Sequence, residues 1–148
     1  MSKDGEEKEP VVIPGRAEHR NEDRVLHFSS EQQELITELV KKQIKVSIDK
    51  MVDIRRLENG KIVFLEQGSG FAGLQHILIH AADFEKRGIC HDEIADVVMT
   101  AIIQGKIVGY QGNRPTYVLV LYKGKKQYIA IAIGDNGFIV GANPATFP

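Results

Sequence analysis

The connections in the C-terminal part of this chain are too short to let one strand cross over another. Four β-forming runs follow each other there: Lys106–Tyr110, Thr116–Tyr122, Gln127–Ile133 and Phe138–Val140. Lys123-Gly124-Lys125 and Asp135-Asn136-Gly137 separate the later ones, and Asn143-Pro144 ends the series. A parallel pairing needs a crossover of about a dozen residues or more, so strands joined this way pair antiparallel. The run Thr116–Tyr122 is continuously apolar and reads as a central strand. In the next run Ile129, Ile131 and Ile133 alternate with Tyr128, Ala130 and Ala132, which places isoleucines on one face and smaller residues on the other. The isoleucine face is expected to pack on helices and the other to meet solvent or substrate.

Helical signals precede the sheet. Leu74, Ile77, Leu78 and Ala81 share one helical face that ends near Gly88. Ile94, Val98, Ala101 and Ile102 form the stripe of a second helix, with Asp92 as its cap and Gly105 as its stop. Farther upstream, Ser30 and Gln33 have capping-box spacing, and Ile36, Leu39, Val40, Ile44 and Ile48 carry a helix from about Glu31 to Lys50. Val52 and Ile54, a tight turn at Asn59-Gly60, and the run Ile62–Leu65 predict a hairpin. The expected fold is α+β: two helices on a four-stranded antiparallel meander, with an N-terminal helix and hairpin arm. The expected division is a polar tail over residues 1–30, the arm over 31–68 and the main unit over 69–148.

Composition narrows the function classes. The chain has 148 residues with 43% hydrophobic content, enough for one domain with a real core. Cys90 is the single cysteine, so no internal disulfide forms, and a reducing, cytoplasmic setting is expected. No apolar run approaches the roughly 20 residues of a membrane span, and the charged start MSKDGEEKEP lacks the apolar centre of a signal peptide. Net charge is −1, but it is unevenly placed. Lys106, Arg114, Lys123, Lys125 and Lys126 face only Asp135 after residue 100, a net +4 against −5 for the rest. A basic sheet of this kind suits a polyanion, and it also suits a solvated hairpin tip.

A family resemblance is carried by Gly73-Leu74-Gln75-His76-Ile77, by Ile94-Ala-Asp-Val-Val98 with Gly105-Lys106-Ile107, and by Asn136-Gly137-Phe138-Ile139-Val140. These segments resemble the barnase/EndoU/colicin/RelE-like (BECR) nuclease domains of phage proteins and of polymorphic or contact-dependent inhibition toxins. The match runs from about Gly73 to Pro144, roughly half of the chain, and leaves residues 1–70 unexplained. It implies a metal-independent RNA endonuclease without a cofactor, tRNA among its target classes, and for a toxin delivered into a target bacterial cell an immunity protein that covers the basic face. One departure is that Gly141 stands where many relatives place a Thr or Ser near the end of the last strand. Thr146, slightly farther on, is the nearest hydroxyl.

Such cleavage needs a base for the 2′-OH, an acid for the leaving 5′ oxygen and a positive group for the phosphorane. His76 occupies the family's histidine position and is the first candidate. His80, at i+4, shares its side of the helix. The pair lacks the Glu of an HExxH zinc helix, so no metal site is expected. Arg114, ahead of the central strand, and Lys106 are the cations suited to phosphate. Thr116, Asn143 and Thr146 near strand ends are further phosphate contacts, and Tyr117, Tyr122 and Tyr128 can stack on bases where exposed. Asn136 is expected to serve its turn, and Cys90, lacking a base beside it, reads as structural. Two other classes fit the same residues: a non-catalytic RNA- or protein-binding module, and an interaction protein that dimerises through the Ile36–Ile48 helix.

Overall fold

A computed structural model describes residues 28–145. The tail before Phe28, and Thr146, lie outside the described residues.

The first helix, α1 (Ser30–Lys41), starts one residue earlier than its sequence signal. Ser29 is the N-cap and pairs reciprocally with Gln32, while the Gln33 amide donates to the Phe28 carbonyl at 2.9 Å. The helix is also shorter than expected. Gln43 takes φ 62°, its N–H donates to the Val40 carbonyl, and the Ile44 N–H donates to the Leu39 carbonyl at 3.0 Å. This is a Schellman stop with glutamine in the place usually held by glycine, which is why residue type did not announce it. Ile44 and Ile48 therefore leave the helix and pack as partly buried side chains on the arm's core.

Strands β1 (Met51–Arg56) and β2 (Ile62–Glu66) form an antiparallel hairpin. The reversal is wider than the expected Asn59-Gly60 tight turn: it spans Leu57–Lys61, with the Leu57 N–H on the Lys61 carbonyl at 2.7 Å. All of β2 is buried, because alternate residues serve different cores. Ile62 and Phe64 join Phe28, Leu35, Ile36, Leu39, Met51 and Ile54. Val63 and Leu65 join the larger cluster made by the helices and the second sheet.

The segment expected as one helix over residues 71–88 is broken into α2 (Leu74–Ile77), a single 3-10 turn (Leu78–His80) and α3 (Ala81–Glu85). Helix α4 (Ile94–Gln104) follows a 3-10 turn over His91–Glu93 and buries Ile94, Val97, Val98, Met99, Ala101 and Ile102. Asp92 does not cap it. The Glu93 carboxylate instead accepts the Cys90 N–H at 3.0 Å, and Cys90 itself is exposed.

Strands β3 (Lys106–Gln111), β4 (Arg114–Tyr122), β5 (Lys125–Ile133) and β6 (Ile139–Pro144) pair antiparallel in that order. The chain is thus α+β. Ile129, Ile131 and Ala142 bury against Ile77, Phe84, Val97 and Val98, so the helices cover that face, and Tyr117 and Tyr122 pack at its margin. Contrary to an open small-residue face, Ala130 is fully buried. The two sheets touch where the Phe64 N–H reaches the Gly137 carbonyl at 2.9 Å and the Phe64 and Phe138 rings meet edge to face at 5.7 Å.

Candidate functional site

The sequence motifs around His76 and Val140, far apart in the chain, are joined by backbone. The Gly73 N–H donates to the Val140 carbonyl at 2.9 Å, docking the start of α2 on the outer edge of β6. The Gln75 N–H bonds the Gln67 carbonyl at 2.9 Å, which ties the same turn to the end of β2. His76 is therefore carried on a helix start anchored to both sheets.

His76 Nδ1 lies 2.9 Å from the Gly70 carbonyl oxygen. A carbonyl only accepts, so Nδ1 carries the hydrogen in this contact and the neutral ring keeps its lone pair at Nε2. The His76 side chain is half-exposed. The His80 ring centroid lies 6.5 Å away with the ring planes at 76°. His80 Nδ1 is 3.6 Å from an Asp83 carboxylate oxygen, a contact that becomes an ion pair when the imidazole is protonated. The stretch Leu74–His80 thus brings together an imidazole whose Nδ1 meets a backbone carbonyl and a second imidazole beside a carboxylate.

The other expected residues form a second group. In register, Lys106 opposes Val118, which opposes Tyr128, and Thr116 opposes Ala130, which opposes Asn143. Directly opposed residues share a face, so these positions all fall on the face of Tyr128 and Ala130, away from the helices. Lys106 is exposed, while Tyr128 and Asn143 are half-buried. The Asn143 amide donates to the Pro144 carbonyl at 3.0 Å. Arg114 opens β4 rather than sitting in a loop. Counting back from Thr116 places it in the row of Ala132 and Gly141, about three strand spacings, roughly 14 Å, from the backbone of Gly73. His76 and the sheet cations therefore fall into two groups: the imidazoles beside the β6 edge, and the polar positions on the far face.

Asn136 serves its turn, its side-chain oxygen accepting the Phe138 N–H at 3.0 Å. Among the described residues no group of three or more His, Cys, Asp or Glu side chains is arranged to hold a metal ion, and no helix is long and apolar enough to cross a membrane. Sequence reasoning passed over Phe71, which is 89% exposed in the loop that holds His76. Its one sequence signal is an aromatic residue among Gly, Ser and Ala, outside the helical stripe. No protein-family model matches the chain, and no curated protein matches it.

Proposed function

We propose that this chain is a metal-independent RNA endonuclease whose proton transfers are made by His76 and His80. The observation that carries the reading is the Nδ1 contact of His76 with the Gly70 carbonyl, which puts the lone pair of the neutral ring at Nε2, next to a second imidazole. The contact between Gly73 and Val140, which joins two of the segments resembling BECR nucleases, supports it. In the reaction His76 Nε2 takes the 2′-OH proton, the 2′ oxygen attacks phosphorus, and the 5′ oxygen leaves with a proton from the His80 imidazolium. The products are a 2′,3′-cyclic phosphate and a 5′-hydroxyl. With the backbone of Arg114 roughly 14 Å from that of Gly73, the proposed role of Arg114, Lys106, Thr116, Tyr128 and Asn143 is to hold flanking RNA across the sheet. A tRNA is the proposed target class, and an immunity protein the proposed partner if the chain acts as a toxin.

The full chain incubated with total RNA and a chelator tests this. Wild type is expected to leave 2′,3′-cyclic phosphate ends, and His76→Ala to slow cleavage by about 100-fold or more. Intact RNA with wild type, or undiminished cleavage by His76→Ala, rejects the proposal.

One observation favours a second reading. Lys106, Tyr128 and Asn143 share a sheet face, as the polar residues of a non-catalytic RNA-binding surface would. Salt-sensitive retention of uncut RNA is its signature. Dimerisation through α1 has less support, since Leu35, Ile36 and Leu39 are already buried within the chain and Val40 alone of the helix's large apolar residues is well exposed.

A further inference from the structure

A phenyl ring left in water forgoes roughly 1.5–3 kcal/mol of burial, yet the loop around Phe71 is built to keep its ring there. The Phe71 N–H donates to Ser69 Oγ at 3.1 Å, and the Ser69 N–H donates to the Ala72 carbonyl at 2.8 Å. Gly68 (φ 66°) and Gly73 (φ 93°) close the loop on itself. A Cβ at Gly68 would collide with the Ala72 carbonyl, and one at Gly73 would lie 2.9 Å from the Glu66 carbonyl oxygen. The residue just before Phe71 supplies the carbonyl that holds His76. The loop that carries the exposed ring thus also supplies the backbone carbonyl that holds the imidazole. Ile79, next to His80 in the chain, is 63% exposed.

We infer that Phe71 is a base-stacking platform for the His76 site, so that the substrate is RNA with an unpaired nucleobase next to the scissile phosphate. The inference rests on the nuclease reading above. Attack by a 2′-OH in line with the leaving oxygen needs a nucleotide free of the helical stack, and a nucleobase so released exposes a π face that an aromatic ring can cover whatever the base. A duplex shows only base edges and offers Phe71 nothing to stack on. Because the loop is already pinned, little ordering cost opposes the contact.

The chain contains no tryptophan, so Phe71→Trp in the full chain introduces a single indole reporter. Titration with a single-stranded DNA oligonucleotide, which lacks the 2′-OH and cannot be cut by this route, is expected to quench it, whereas the duplex of the same sequence is not. Phe71→Ala is expected to raise KM for single-stranded RNA about ten-fold while kcat stays dependent on His76. His76-dependent cleavage with an unquenched indole and an unchanged KM overturns the platform and leaves the nuclease standing. Quenching confined to the single strand, without any cleavage, upholds the platform and removes the nuclease. Equal quenching by the duplex overturns the platform.

Discussion

Two backbone positions show how much a single residue type decides here. Gly137 has φ 95°, where a side chain is strained, and a Cβ there would run into the Ile62 carbonyl of the other sheet. Gly137→Ala is therefore expected to cost about 2 kcal/mol or more, read as a lowered midpoint in urea unfolding. A loss within a few tenths of a kcal/mol means the two sheets tolerate separation at this point. Gln43 is the reverse case, holding φ 62° although it carries a side chain. Gln43→Gly should raise stability by up to about 1 kcal/mol, because the Schellman bonds at the end of α1 are kept and the strain is released. An unchanged or lower thermal midpoint contradicts this.

Among the elements, the arm carries opposed electrostatics. On α1, Glu38 binds Arg56 of β1 at 2.6 Å and Lys42 at 3.0 Å, and these hydrogen bonds, that of Arg56 first, hold its carboxyl down to about 2. Its contribution is present above its ordinary value of 4.5 and fades as pH falls toward 2. Glu66, at the end of β2, behaves oppositely. Burial raises its pKa, although the Ser47 N–H at 2.8 Å opposes the shift. A carboxyl with a raised folded pKa binds its proton more readily in the folded chain, so protonation favours folding. Glu66→Gln removes the buried charge and keeps an acceptor for Ser47. The variant should be more stable than wild type at neutral pH, with the gap closing as the pH is lowered through the raised Glu66 pKa. Denaturant unfolding across that range checks the sign, and a gap that widens toward acid would reverse the assignment.

At the scale of the molecule, β2 is the shared wall. Val63 and Leu65 are fully buried in the cluster that contains the α4 stripe and the β5 isoleucines, while Phe64 is fully buried on the other side. Each such side chain is worth roughly 1.5–3 kcal/mol of burial, a large share of the 5–15 kcal/mol typical of a whole domain. A division at residue 69 parts these residues from their cluster. A fragment of residues 69–148 is therefore expected to lack cooperative thermal unfolding and a dispersed NMR spectrum. If it shows both, the second sheet and its helices stand without the arm.

Much of this was written locally. The α+β class, the buried stripe of Ile94, Val98, Ala101 and Ile102, the turn role of Asn136 and the closeness of His76 to His80 all follow from spacing, because i+4 neighbours and turn residues need only a few adjoining peptide units to meet. What failed locally also has local reasons: the glutamine at a glycine position that ends α1, and the 3-10 turn that interrupts the helix carrying the histidines. Other features depended on packing between distant segments. The docking of Gly73 on Val140, the hydrogen on His76 Nδ1 and the exposure of Phe71 arise where β2, β6 and a six-residue loop meet. So does the separation of the imidazoles from Lys106, Tyr128 and Asn143, since the face each strand residue occupies is set by which partner strand it meets and in what register. Periodicity reports which side of an element is apolar; only the assembled chain determines what lies against that side, and therefore which polar groups share a site.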